Sequence, residues 1–234
     1  MISWILVGVT TACGVHFWMH WQKLARAEFI RSYSFPRGLF DKLHAKRPEL
    51  DTKEMQLVAR ALRQFFLAHL LSGRKFVSMP SQVTDELWHE FILYTRNYQE
   101  FCRRAFGRFM HHTPAVVLGR DQQNNSGLRR AWWYSCKEEN INPSKPTRLP
   151  LLFAIDAKLR IRDGFVYTPD CRKLRESESG ATGATATHCG GDFSSSSFDG
   201  STDGFGDSGS GSDGGGDGGG DGGGCGGGCG GGGD

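Results

Sequence analysis

Apolar residues recur at spacings of three and four along most of the chain before its glycine-rich end, a period that predicts helices rather than strands. The clearest repeat is Met55, Val58, Ala59, Leu62, Phe65, Phe66, His69 and Leu70, which predicts a long helix capped by Thr52 and closed by Ser72-Gly73. His69 lies on the apolar side of that helix and reads as a hydrogen-bonded core histidine rather than a ligand. Residues 75–78 then approach a second long helix in extended form. Ser81 can cap this helix, Asp85 and Glu86 sit in its first turn, and Val83, Leu87, Phe91, Tyr94, Tyr98, Phe101, Cys102 and Ala105 fall in one arc. Read as one element it runs from Ser81 to Gly107, a residue whose ease in the left-handed conformation suits a helix stop. The two long helices are expected to pack as an antiparallel pair. Shorter helices are expected at 39–47, ended before Pro48, at 128–139, with Trp132, Trp133 and Cys136 on its packing face, and at 149–159. A short hairpin is expected at 161–167, turning at Asp163-Gly164. The expected fold class is therefore all-α, with a small domain of about five helices at 51–175.

The ends of the chain change this picture. Residues 2–21 contain no Asp, Glu, Lys or Arg, and about 20 residues suffice to cross a hydrocarbon core as a helix, so 1–22 is expected to be a transmembrane anchor, with an interfacial helix as the alternative. In the basic segment 23–50, Lys23, Arg26, Arg31, Arg37, Lys42, Lys46 and Arg47 outnumber Glu28, Asp41 and Glu49. The positive-inside rule then implies a single-pass protein of the cell inner membrane, with body and C-terminal tail in the cytoplasm and the basic collar against anionic lipid. At the other end, 176–234 turns to Ser, Thr, Gly and Asp, then to GGGD and GGGC repeats, and lacks the apolar area to offset ordering; a disordered tail is expected. From Gly180 onward there are eight Asp and no Lys or Arg, so the near-neutral total hides a basic body and an acidic tail. Seven cysteines, an odd number that includes Cys225 and Cys229 in the tail, argue against a disulfide framework in a cytoplasmic body.

Candidate chemistry concentrates in one place. Asp85 and His89 are four residues apart on a helix and can touch, and the chain beyond Gly107 can fold His111 and His112 back towards them, because Pro114 opposes helical continuation. Asp85, His89, His111 and His112 are ligand types suited to zinc or another divalent metal, although their spacing matches neither a zinc finger nor HExxH. The competing reading is a structural one: an Asp85–His89 pair on the helix surface, with the two later histidines bonded to backbone carbonyls in a turn. The strings WH at 88–89, TRNYQEFC at 95–102, FGRFMHHTP at 106–114 and LPLLFAID at 149–156 resemble bacterial glycine-rich-domain-containing proteins, related to the plant glycine-rich domain proteins. The resemblance covers roughly 35–175 and extends to the cysteine-dotted glycine tail. Related sequences often read WHxH, and Phe91 stands here where the second His would be. The resemblance implies no reaction.

Two function classes follow. The first is a membrane-tethered, non-enzymatic binding or scaffold protein that holds a divalent metal and meets a protein partner through its helical domain or tail. The second is a metal-dependent hydrolase using the Asp/His cluster, which would need an open coordination position and a base near bound water. The sequence carries no phosphate loop or dinucleotide fingerprint, and no recognition helix or interleaved basic and aromatic strand, which argues against nucleic acid as a partner.

Overall fold

The strongest apolar repeat in the sequence becomes the central element of the fold. The protein's structure, a computed structural model, describes residues 2–112, 126–169 and 187–189. Among these are seven helices, α1 (Ile2–Ser32), α2 (Arg37–Lys46), α3 (Thr52–Leu71), α4 (Gln82–Leu93), α5 (Thr95–Phe106), α6 (Ser126–Glu138) and α7 (Leu151–Lys158). Two short strands, β1 (Val166–Thr168) and β2 (Thr187–Cys189), accompany them. The protein is mostly helical; behind the N-terminal helix the described residues hold six helices where about five are expected.

α3 packs against α1, α2, α4, α6 and α7. It starts one residue earlier than expected, on a reciprocal box: the Asp51 carboxylate accepts from Glu54 N at 2.7 Å, and the Glu54 carboxylate accepts from Asp51 N at 2.9 Å. Its apolar stripe meets rings from α4 and α5, with Phe65 and Trp88 centroids 4.9 Å apart and Phe66 and Phe101 4.8 Å apart. Each fully buried phenylalanine here contributes about 1.5–3 kcal/mol of transfer free energy, which makes this aromatic cluster the centre of the core. α7 is tied to α3 and α6 through its first turn, where Leu151 N donates to Glu139 and Leu152 N to the Gln64 side chain.

The helix expected to run from 81 to 107 is broken in two at Tyr94. Its ψ of 62° ends α4, and its ring hydroxyl lies against Gly38 of α2, where even a Cβ would come within 2.7 Å. α5 restarts at once and ends at Gly107, which takes the left-handed conformation (φ 75°) and donates to Cys102 O and Arg103 O. The start of α4 is held from a distance. Buried Asp156 of α7 accepts from Ser81 Oγ, Gln82 N and Val83 N, placing a carboxylate where the helix's free N–H groups and positive end favour one.

The expected hairpin at 161–167 does not form. Asp163 is taken by Arg47 and Phe165 N by Asp156, and β1 instead pairs in parallel with β2, Tyr167 opposite His188. The transmembrane expectation is also overturned, because no helix among the described residues is long and apolar enough to cross a membrane. Length is not what α1 lacks; Thr10, Thr11, His16, His20 and Gln22 dilute its hydropathy. Its last third belongs to the protein, with Ala27 and Ile30 in the core, and the basic collar is used internally: Lys23 donates to Leu71 O, Arg26 to Phe106 O, and Arg31 pairs with Glu138 at 2.7 Å. The single-pass inner-membrane placement with a cytoplasmic body rested on that anchor and falls with it. The expected disordered tail at 176–234 contains β2, so the expectation fails at Thr187–Cys189; the rest of the tail, with Cys225 and Cys229, lies outside the described residues.

Candidate metal centre

Asp85 stands in the first turn of α4, and His89 follows one helical turn later on the same side. His89 Nδ1 lies 3.2 Å from Asp85 Oδ2. The second histidine arrives from the segment after α5, and its approach is pinned by buried polar contacts. Tyr98 donates its hydroxyl proton to Met110 O at 2.6 Å, and the same hydroxyl accepts from the Trp88 indole N–H at 3.2 Å. Burial pushes the Tyr98 phenol far above its ordinary range, so it remains a neutral donor. With Met110 fixed, His112 Nε2 comes within 3.0 Å of Asp85 Oδ1, its ring 4.6 Å from Trp88 and 4.1 Å from His89.

One ligand-type atom from each of Asp85, His89 and His112 lies within 4.8 Å of the other two. Ligand atoms about 2.0–2.2 Å from a tetrahedral ion are separated by about 3.3–3.6 Å, a spacing the cluster approaches. The site is graded in exposure: the side chains of His112, Asp85 and His89 are 13, 26 and 48% exposed. His111 is not part of it. That residue is exposed and its ring packs on Phe109 at 4.8 Å. Nor do the neighbouring carboxylates join: Glu86 pairs with Arg47 at 2.6 Å, and Glu90 pairs with Lys46 at 2.6 Å.

Asp85 and His112 line a cavity of about 520 Å³ together with Trp88, His69, Arg74 and Arg108. That volume falls within the range of small-molecule sites, about 300–1,000 Å³. His69 is buried as expected; its Nδ1 donates to Lys75 O at 2.9 Å, and burial depresses its pKa to about 4, so the ring is neutral. The turn that brings Lys75 back uses two left-handed residues, Gly73 (φ 75°) and Arg74 (φ 64°), the second an unfavourable conformation for a side-chain-bearing residue. Arg74 is held there by donating to Phe106 O at 2.8 Å, and Arg108 donates in turn to Arg74 O.

The model of the UCP032817-like family matches residues 25–193. The chain belongs to the UCP032817-like family. This is an uncharacterised family, and the match corrects the resemblance to glycine-rich-domain proteins, which drew on short strings and on the composition of the tail. The match instead spans the chain from within α1 to just beyond β2. Neither the curated proteins nor the solved structures contain a match to the chain. Sequence reasoning missed Trp88 and Tyr98 as the residues that place His112, and Tyr98 reads there only as part of the apolar arc. The signal for a second role was their polar atoms, since a buried phenol and indole need partners.

Proposed function

We propose that the protein binds a divalent metal ion, of the zinc class, through Asp85, His89 and His112. The observation that carries the reading is the convergence of three ligand-type groups from two separate parts of the chain, with ligand atoms all within 4.8 Å. A carboxylate and two imidazoles form a borderline donor set suited to zinc, and three protein ligands leave a coordination position for an exogenous group. Two of the three ligands line the cavity, so that position is accessible from it. The reading stops at binding. Hydrolysis would require a base beside bound water, and the carboxylates nearest in sequence, Glu86 and Glu90, are engaged by Arg47 and Lys46.

The test is zinc titration of the full-length protein carrying Cys225→Ser and Cys229→Ser, in competition with a chromophoric chelator. One equivalent should bind. A structural zinc site binds with about 10–16 kcal/mol spread over four ligands, or about 3 per ligand, so His89→Ala should weaken binding by about 100-fold. His111→Ala should leave the affinity unchanged. Absence of stoichiometric binding, or equal losses for the two variants, would overturn the reading.

A further inference from the structure

The cavity beside the ion-binding cluster has two features that the cluster does not need. The first is a wall of exposed rings: Phe76, Phe109 and Phe165 are 43, 45 and 40% exposed, and all three line this cavity. They come from three separate parts of the chain, and the fold holds each one in place. Phe76 O accepts from Arg130, Phe109 packs edge-on against buried Tyr98 at 5.2 Å, and Phe165 N donates to buried Asp156. Rings held open to water in this way lose little freedom when an apolar partner covers them. The second is charge. The exposed residues Arg74 and Arg108 line the same cavity, where the one carboxylate among the described residues of the lining, Asp85, already faces two imidazoles. An occupant that fits both features brings an apolar ring and negative charge together.

The chain carries such an occupant. From Gly190 onward the only large apolar side chains are Phe193, Phe198 and Phe205, and each stands beside an aspartate: Asp192 before Phe193, Asp199 after Phe198 and Asp207 two residues after Phe205. The same stretch has eight Asp and no Lys, Arg or Glu. It also begins close to the cavity. β2 runs parallel to β1 with Cys189 opposite Thr168, and Phe165 immediately precedes β1. At about 3.3 Å per residue along a strand and about 4.8 Å between strands, the Cα atoms of Cys189 and Phe165 lie about 11 Å apart. The four residues from Cys189 to Phe193 span up to about 14 Å, and the nine to Phe198 up to about 30 Å, so both rings can reach the wall. We propose that segment 192–207 of this chain docks in the cavity, a phenylalanine ring against Phe76, Phe109 and Phe165 and the adjacent aspartate against Arg74 and Arg108. The docking does not depend on the ion-binding reading, but its consequence does. Because Asp85 and His112 line the same cavity, the docked segment covers the coordination position that the three ligands leave open, and the chain controls access to its own ion.

The experiment uses calorimetry to compare the wild-type full-length protein with a full-length variant carrying Phe193→Ser, Phe198→Ser and Phe205→Ser, each titrated with a synthetic peptide of residues 190–209. With an effective concentration of about 1 mM for a segment joined by a short linker and a peptide Kd of about 0.1 mM, the wild-type protein should bind the peptide about tenfold more weakly than the variant, because its own segment competes. A peptide with its three phenylalanines changed to serine should not bind, and one with its aspartates changed to asparagine should bind about fivefold more weakly or worse. p-Benzoylphenylalanine in place of Phe193, Phe198 or Phe205 of the full-length protein keeps an aromatic side chain, and in at least one position it should cross-link within one chain to the stretches carrying Phe76, Phe109 or Phe165. No peptide binding by the triple variant, equal binding by variant and wild type, indifference to the aspartates, or cross-links confined to other surfaces would overturn the proposal. Cross-links between two chains would mean that a second copy's segment fills the cavity, and would overturn docking within the chain. Zinc titration of the triple variant separates the two readings. One equivalent of zinc with no docking overturns the proposal and leaves the ion-binding reading standing, whereas docking without stoichiometric zinc overturns that reading and the control of access and leaves the docking itself.

Discussion

Two carboxylates stand at the start of α4, and their surroundings divide them into different roles. Asp156, brought from α7, is 2% exposed and surrounded by donors: the Ser81 hydroxyl and the backbone N–H groups of Gln82, Val83 and Phe165. Asp85, on α4 itself, is partly open and faces two imidazoles. The first is surrounded by fixed N–H and O–H donors and has no use for a metal. The second faces rings that can exchange a proton for an ion and a wall that leads into a cavity. A carboxylate's neighbours, more than its own burial, decide whether it holds the fold together or remains free to hold something else.

The largest effect should come from the buried member of that comparison. Asp156→Ala leaves the Gln82, Val83 and Phe165 N–H groups without their acceptor and opens the joint between α4 and α7, and should cost about 3–5 kcal/mol, read as a shift in denaturant midpoint with the slope unchanged. A loss below about 1 kcal/mol would mean that Ser81, which also accepts from Thr84 N, caps α4 adequately alone.

Next in size is the response to acid. Burial, opposed by the bond to Lys75 O and assisted by the nearby Arg108 and Arg74 charges, lowers the His69 pKa from 6.5 to about 4. The unfolded chain therefore binds a proton that the folded one refuses: the stability is fully present above pH 6.5 and is lost as pH falls towards 4, by roughly 3 kcal/mol in total. His69→Asn should flatten that part of the stability profile, and an unchanged slope would place the acid sensitivity elsewhere.

How far these arrangements are legible in the sequence depends on how local their causes are. Ser81 as a cap, Gly107 as a stop and the α3 stripe follow from residues a few positions apart, and each appears in the structure. The break at Tyr94 is set by Gly38, and the second cap on α4 by Asp156, 74 residues from Gln82. Neither contact leaves a periodic trace. The apolar run at the start of α1 has the length of a membrane span but carries two threonines and two histidines, and the docking of Ala27 and Ile30 leaves no trace in the sequence. Within the candidate site, Asp85 and His89 are paired by helix geometry alone. His112, and not His111, joins the cluster, on a segment held by the Tyr98 bond to Met110 O, a contact the sequence pattern does not reveal.

The smallest stability effect should come from the open member of the comparison. Asp85→Asn keeps the shape, loses the charge beside the α4 N-terminus, and should change metal-free stability by less than about 1 kcal/mol. The same substitution should abolish the stabilisation that saturating zinc gives the wild-type protein, followed by thermal melting with and without the ion. If Asp85→Asn unfolds the metal-free protein as badly as Asp156→Ala does, the two carboxylates share one structural role and the contrast between them disappears.

The contrast turns on whether the Asp85 cluster holds an ion, and X-ray absorption at the zinc edge of the loaded full-length protein reads that shell directly. The fold predicts nitrogen and oxygen scatterers at about 2.0–2.2 Å, with the outer-ring signature of two imidazoles that falls to one in His89→Ala. A dominant sulfur shell at about 2.3 Å, or an imidazole count indifferent to His89, would place the metal elsewhere and contradict it.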